Sequence, residues 1–169
     1  MAISTAKIKQ YLKEVDFNYD ERDANTIVTG FSDDANNKVV IVISLMEDGE
    51  YLQMRTIKHL DDLVAEAEPE RRAELLKWML NKNYTTKNGA WEYDPDDHDH
   101  HLSIGHVIED GDLTLKQFMR MLGVMTQSAS LIPEMKQVLG IKDAAVDPVE
   151  LKRQELLAQL RELEEGRGI

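Results

Sequence analysis

The chain contains no cysteine. That excludes disulfides, thiol nucleophiles and thiolate metal sites, so stability must come from packing and any metal ligands from His and carboxylates. It also has no run of basic residues: Lys plus Arg number 20 against 32 Asp plus Glu, a formal net charge of −12. Phosphate backbones are bound by Lys and Arg that displace counterions, and a field of this sign repels nucleic acid and anionic membranes. Neither is expected as a partner. The acidity instead keeps the protein soluble or steers a basic partner. Long apolar runs are missing as well. The longest, residues 39–45, is interrupted by Ser44 and is far too short to span a bilayer. Residues 1–7 lack the basic flank and apolar core of a signal peptide, so a cytoplasmic protein is expected. There is no Gly-rich phosphate loop, and Ser128 and Ser130 lie in no Gly-x-Ser-x-Gly context. These absences point to a non-enzyme without a cofactor.

What is present is an ordered set of hydrophobic patterns in 169 residues, 42% apolar and 31% charged. A domain near this size buries roughly 70% of its unfolded surface and folds without disulfide or metal. Ser4 or Thr5 can cap a first helix whose Ile8, Tyr11, Leu12 and Val15 share one face; Asn18, Asp20 and Asp23 end that pattern. Residues 26–31 read as a strand. Residues 39–45, apolar on both faces, read as a central strand covered on each side. Asp48-Gly49 is a hairpin signal, and residues 51–57 return as a third antiparallel strand.

From 61 to 83 the spacing turns helical, with Leu63, Leu75, Trp78, Met79 and Leu80 as apolar contacts. Pro69 suits a first turn, so a short helical turn precedes the main helix. Asn88-Gly89 is a turn, 90–93 a strand, 94–99 an acidic loop, and 101–107 the returning strand with Leu102, Ile104 and His106 on alternate positions. Asp112-Leu113-Thr114 opens a helix with Leu115, Phe118, Met119, Leu122, Met125 and Thr126 as its inner stripe; a break is expected near Pro133 and a stop at Gly140. A linker at 142–147 leads to a last helix from Pro148, in which Val149, Leu156, Leu160 and Leu163 form an apolar seam interrupted by Arg153. The expected fold is α+β: an antiparallel sheet with packed helices in the order α-β-β-β-α-β-β-α plus a C-terminal helix. The expected division is a domain at 1–141 and a linker with an amphipathic helix at 142–169.

Three stretches resemble a known family. Tyr11-Leu12-Lys13-Glu14 followed by Ile27-Val28-Thr29-Gly30-Phe31, then residues 75–84 leading into the Asn-Gly turn and aromatic strand, and finally residues 112–118, are similar to bacterial YbjN-type domains. The resemblance covers roughly residues 3–125. It implies a fold like that of type III secretion chaperones, usually dimeric, with a protein-binding or regulatory role and no catalytic residues.

The densest cluster of ligand-type side chains is Asp96-Asp97-His98-Asp99-His100-His101. Imidazole and carboxylate suit zinc or nickel, and in extended backbone His98 and His100 share a face. A flexible acidic turn is the simpler reading, because a dedicated metal site needs fixed geometry and supporting contacts. Metal binding or sensing through His98, His100 and His101 is therefore the alternative function. His106 points inward as a core or interface histidine, and His59 can pair with Asp61 or Asp62. Met119, Met121, Met125 and Met135, with Met46, Met54 and Met79, make a methionine-rich set suited either to an adaptable binding surface or to core filling. The expected function is a chaperone-like adaptor or regulator that holds an apolar segment of a protein partner. Its expected contacts are Met119, Met125, Leu156, Leu160 and Leu163, and it is expected to form a homodimer.

Overall fold

The computed structural model describes residues 3–57 and 59–141. They fall almost wholly in one compact unit, Met1–Leu139; of a second unit, Gly140–Ile169, only the first two residues are described. The expected linker and last helix, with Leu156, Leu160 and Leu163, therefore lie outside the described residues.

Helix α1 (Thr5–Glu14) opens the fold, and strands β1 (Tyr19–Glu21), β2 (Thr26–Ser32), β3 (Lys38–Met46) and β4 (Tyr51–Ile57) follow. Helices α2 (Asp61–Glu66) and α3 (Pro69–Thr85) lead to β5 (Ala90–Tyr93) and β6 (His100–Val107), and α4 (Leu115–Gln127) and α5 (Ile132–Val138) close the unit. Among the described residues the strands form one antiparallel sheet in the order β1-β2-β3-β4-β6-β5. The α+β class and the meander of β2 to β4 match the sequence reading. β1 does not appear in that reading. It is three polar residues long, too short to show a period-2 pattern, and exists because it pairs with β2.

The turns follow local chemistry. Between β3 and β4 the loop is longer than a two-residue hairpin, since Met46 pairs with Tyr51. Glu47, Asp48 and Gly49 all take positive φ, at 53°, 54° and 92°. Pro69 sits in the first turn of α3, where its missing N–H costs nothing. At the start of α4, Thr114 and Gln117 form a reciprocal capping box.

One face of the sheet carries the core. Ile27, Val39, Ile41, Ile43, Leu45, Leu52, Met54, Leu102 and Ile104 are all buried on it. Helices α1 and α4 meet at Tyr11 and Phe118, whose rings lie 5.5 Å apart, and the Tyr11 hydroxyl donates to the Leu113 carbonyl at 2.6 Å. Lys7 pairs with Asp112 across the same junction. Helix α3 packs by Leu75 and Met79, and its Lys82 pairs with Glu134 of α5 at 2.8 Å.

The opposite face corrects one expectation. β3 is apolar on both faces, yet only one is fully buried; Val40 and Val42 are half-buried. Val42 sits between Val28 and Arg55 on neighbouring strands, so among the described residues side chains within the sheet shield it. Leu63 and Leu80, expected as packing contacts, are exposed.

The methionines divide in the same way. Met54, Met79, Met121, Met125 and Met135 are buried, while Met46 and Met119 are exposed. Met125 has no accessible surface, which removes it as a partner contact. Its thioether fills space beneath α4, the ordinary use of a flexible apolar side chain. Met119 is 42% exposed and remains available. We expect Met125→Asp to abolish the cooperative unfolding transition, because an unpaired buried charge costs several kcal/mol. Met119→Asp should stay within about 0.5 kcal/mol of the parent. Urea melts followed by circular dichroism check both.

Candidate functional site

The structure separates the three histidines of the acidic loop. His98 lies in the turn with φ of 65°, and its Nδ1 contacts the Tyr93 hydroxyl at 2.7 Å. His100, the first residue of β6, is fully buried on the helix-covered face. His101 faces the other side, 2.7 Å from Glu92 and 3.5 Å from Asp99. The positive φ at His98 breaks the extended backbone that would have put it on one face with His100. Among the described residues no group of three or more His, Asp or Glu side chains is placed to hold a metal ion.

A different histidine pair is brought together inside. His59, between β4 and α2, is buried with its ring centroid 5.0 Å from Trp91 and 6.4 Å from His100. Its Nε2 lies 2.9 Å from the Ser128 hydroxyl, not on Asp61 or Asp62 as the sequence suggested. Ser128 Oγ donates to the Met125 carbonyl at 2.6 Å, so its proton is committed and His59 Nε2–H must be the donor. This is the reverse of a nucleophilic pair, in which the imidazole accepts the serine proton. Ser128 is also buried, out of reach of a substrate. The contact ties the β4–α2 loop to the end of α4.

The remaining nitrogens, His59 Nδ1 and His100 Nε2, are buried without a protein partner among the described residues. Burial pushes the His59 imidazole down to about 3, with the neighbouring His100 and His101 acting in the same direction. It pushes His100 down as well, partly opposed by the His98 carbonyl and by Asp61 and Asp99. Both rings are neutral at pH 7.

A polar concavity lies at the far end of β6. β6 pairs with β4 from Ser103 to Val107, but with β5 only from His100 to Ser103. Beyond Ala90 the second half of β6 is a free edge among the described residues. Leu102 exchanges hydrogen bonds with the Thr56 side chain, and the Ile108 N–H reaches the Glu50 carbonyl, so even-numbered residues point toward β4. Backbone groups alternate along a strand, so those of Gly105 and Val107 face the open side. The cleft there measures about 640 Å3 and is lined by Tyr51, His106, Lys87, Gln117 and Arg120 among others. Tyr51 lies directly over Gly105: a Cβ at Gly105 would stand 1.9 Å from the tyrosine oxygen, so only glycine permits this placement. The sequence reading saw His106 but not this cleft, whose walls come from four separated segments.

No protein-family model and no curated protein matches the chain by sequence. Among solved structures, YbjN of E. coli, a proposed transcription regulator, superposes with a TM-score of 0.53 at 11% identity, covering 83% of this chain and 92% of that one. The chain has a YbjN-like fold. A chain of the ExsC–ExsE complex gives a looser match, with a TM-score of 0.48 at 17% identity, covering 78% of this chain and 93% of that one. No helix among the described residues is long and apolar enough to cross a membrane.

The sign of the pH effect follows from the two buried rings. Between pH 6.5 and about 3 the unfolded chain binds a proton at position 59 that the folded chain refuses, so stability falls as pH drops through that window. From pH 7 to 5 His59 should remove about 2 kcal/mol, with His100 acting in the same direction. We expect His59→Gln to be less stable at pH 7 and to show a shallower loss on acidification. Thermal melts of both proteins from pH 7 to 5 measure the difference.

Proposed function

We propose that this protein is a non-enzymatic binding protein, a chaperone-like adaptor or regulator that holds an apolar segment of a protein partner. The observation that carries this reading is an apolar row on α3 facing away from the core. Leu76, Leu80 and Tyr84 recur at helical spacing; Leu76 is half-buried, while Leu80 is 68% exposed and Tyr84 is 91% exposed. Isolated exposed apolar residues are ordinary, but a row spaced to share one side of a helix marks a contact surface. The adjoining side of α3 is already docked through Leu75 and Met79. The row cannot serve the core of this unit as folded.

Half-buried Val28, Val40 and Val42 on the sheet face opposite the core, with exposed Met119, support the same reading. The net charge of −12 favours basic surroundings on the partner and adds a salt-sensitive component to association. The partner can be a second copy of this chain, since a helix row of this kind pairs readily with itself about a two-fold axis. Leu156, Leu160 and Leu163 stay proposed contacts, as does the cytoplasmic location. A YbjN-like fold is compatible with a regulator, in line with the role proposed for E. coli YbjN.

The test is a Leu80→Asp/Tyr84→Asp double variant. Both positions are exposed, so its melting temperature should match the parent within a few degrees. We expect the parent to capture a stoichiometric protein from native lysate, or to sediment as a dimer, and the variant to do neither. Equal capture and equal sedimentation by parent and variant would show that the row is not the contact surface.

A further inference from the structure

The free edge of β6 has a chemistry opposite to that of the protein around it. Two cations, Lys87 and Arg120, line the cleft, and neither makes an ion pair among the described residues. The acidic residue in the lining, Glu92, is already engaged by His101 at 2.7 Å. In a chain of net charge −12, this cleft is a place where the sign reverses. Beside those cations stand the outward-facing N–H and C=O groups of Gly105 and Val107, which have no backbone partner among the described residues. Val107 is 61% exposed. The Tyr51 ring over Gly105 walls one side of the edge, and α4 walls the other with Gln117 and Arg120.

From this we infer that the β6 edge binds a short, extended, acidic peptide segment, which adds as a strand in the line of β5 with its carboxylates at Lys87 and Arg120. Unpaired strand edges are templates for strand addition, in which main-chain bonds give affinity and flanking side chains give selectivity. A peptide running antiparallel to β6 would have its C-terminal end at the Lys87–Gly89 turn, where β5 begins. Gly89 holds φ of +83° and lies against the Ser103 carbonyl, so the turn is a fixed stop rather than a continuation of the groove. A small inorganic anion could use the two cations and the N–H groups but would leave the Gly105 and Val107 carbonyls unpaired, whereas an added strand pairs both. A basic peptide would meet like charge. The inference rests on the protein-binding reading above but names a different surface, since Leu80 and Tyr84 are not among the residues lining this cleft.

The test uses the full-length protein and two labelled six-residue peptides, one alternating Glu with Val and one alternating Lys with Val. We expect saturable binding of the Glu/Val peptide, seen by fluorescence anisotropy and by shifts of the Gly105 and Val107 amide resonances. The Lys/Val peptide should bind at least about tenfold more weakly, equivalent to about 1.4 kcal/mol. Lys87→Glu/Arg120→Glu should reverse that preference. Val107→Pro should abolish binding of either peptide without disturbing the β4 ladder, because its N–H faces the open side, where proline is tolerated. A thermal melt verifies that each variant is folded.

Equal binding of the two peptides, binding indifferent to charge reversal, or competition by citrate as effective as unlabelled peptide would overturn the inference. So would a dimer of the parent that Val107→Pro dissolves, because the edge would then belong to a second copy. Peptide binding that survives Leu80→Asp/Tyr84→Asp while lysate capture is lost would separate this site from the α3 row. Failure of the peptide to bind a protein that still captures its partner through α3 would remove the edge site alone.

Discussion

The pairing of β6 with β4 is the constraint on which the rest of this structure depends. β5 precedes β6 in the chain, yet β6 takes the inner place in the sheet and β5 the edge. The chain must therefore leave β4, cross on α2 and α3, and lay down a short edge strand before β6 returns to fill the gap. That crossover carries His59 over the end of the sheet, sets α3 against β5, and leaves Leu80 and Tyr84 of α3 exposed among the described residues. The unequal lengths do the rest: β5 spans Ala90–Tyr93 and β6 spans His100–Val107, so among the described residues Ile104–Val107 pair with β4 alone.

The interior is mostly apolar, with one polar knot at the seam between crossover and sheet. His59, Ser128 and the Met125 carbonyl form a chain of hydrogen bonds, and His100 lies against it with its Nε2 unpaired among the described residues. Such a knot contributes specificity rather than much stability, because the cost of burying polar rings offsets most of what their hydrogen bonds contribute. Its geometry rules out activation of Ser128, since the hydroxyl proton is aimed away from the imidazole. What looks like a catalytic pair by composition works as a clasp between the β4–α2 loop and the end of α4.

Much of the architecture was legible in the sequence. The strand and helix alternation, Pro69 as a first-turn residue and the break near Pro133 all rest on local chemistry, and local chemistry was enough. β1 was not legible, because Tyr-Asp-Glu carries no apolar period and becomes a strand by pairing with β2. Met119 and Met125 could not be told apart by periodicity; both fall near the apolar stripe of α4, and the contacts of the tertiary fold decide which one is covered. The His59–Ser128 contact joins positions 69 residues apart, whereas the sequence offered Asp61 and Asp62 close by. The strands at 90–93 and 101–107 were read with unequal lengths, so a free edge was implicit in the sequence, but which strand lay inside was not. Lys87, Arg120 and Tyr51 gave no signal at all, being ordinary surface residues until the fold gathers them.

The surface divides into three kinds of chemistry: a broad acidic field, an apolar row on α3, and a small cationic cleft along an unpaired strand. Such a surface suits recognition of other chains, and each part has a physical origin in how the sheet is ordered. The measurement that reaches this account most directly is residue-resolved amide hydrogen exchange on the dilute full-length protein. If β6 is paired on one side only beyond Ser103, the Gly105 and Val107 amides should exchange quickly, while those of Ile104 and His106, directed toward β4, are strongly protected. Uniform protection across Ile104–Val107 would contradict the account, because it would mean that the edge is already covered and the strand order leaves nothing open.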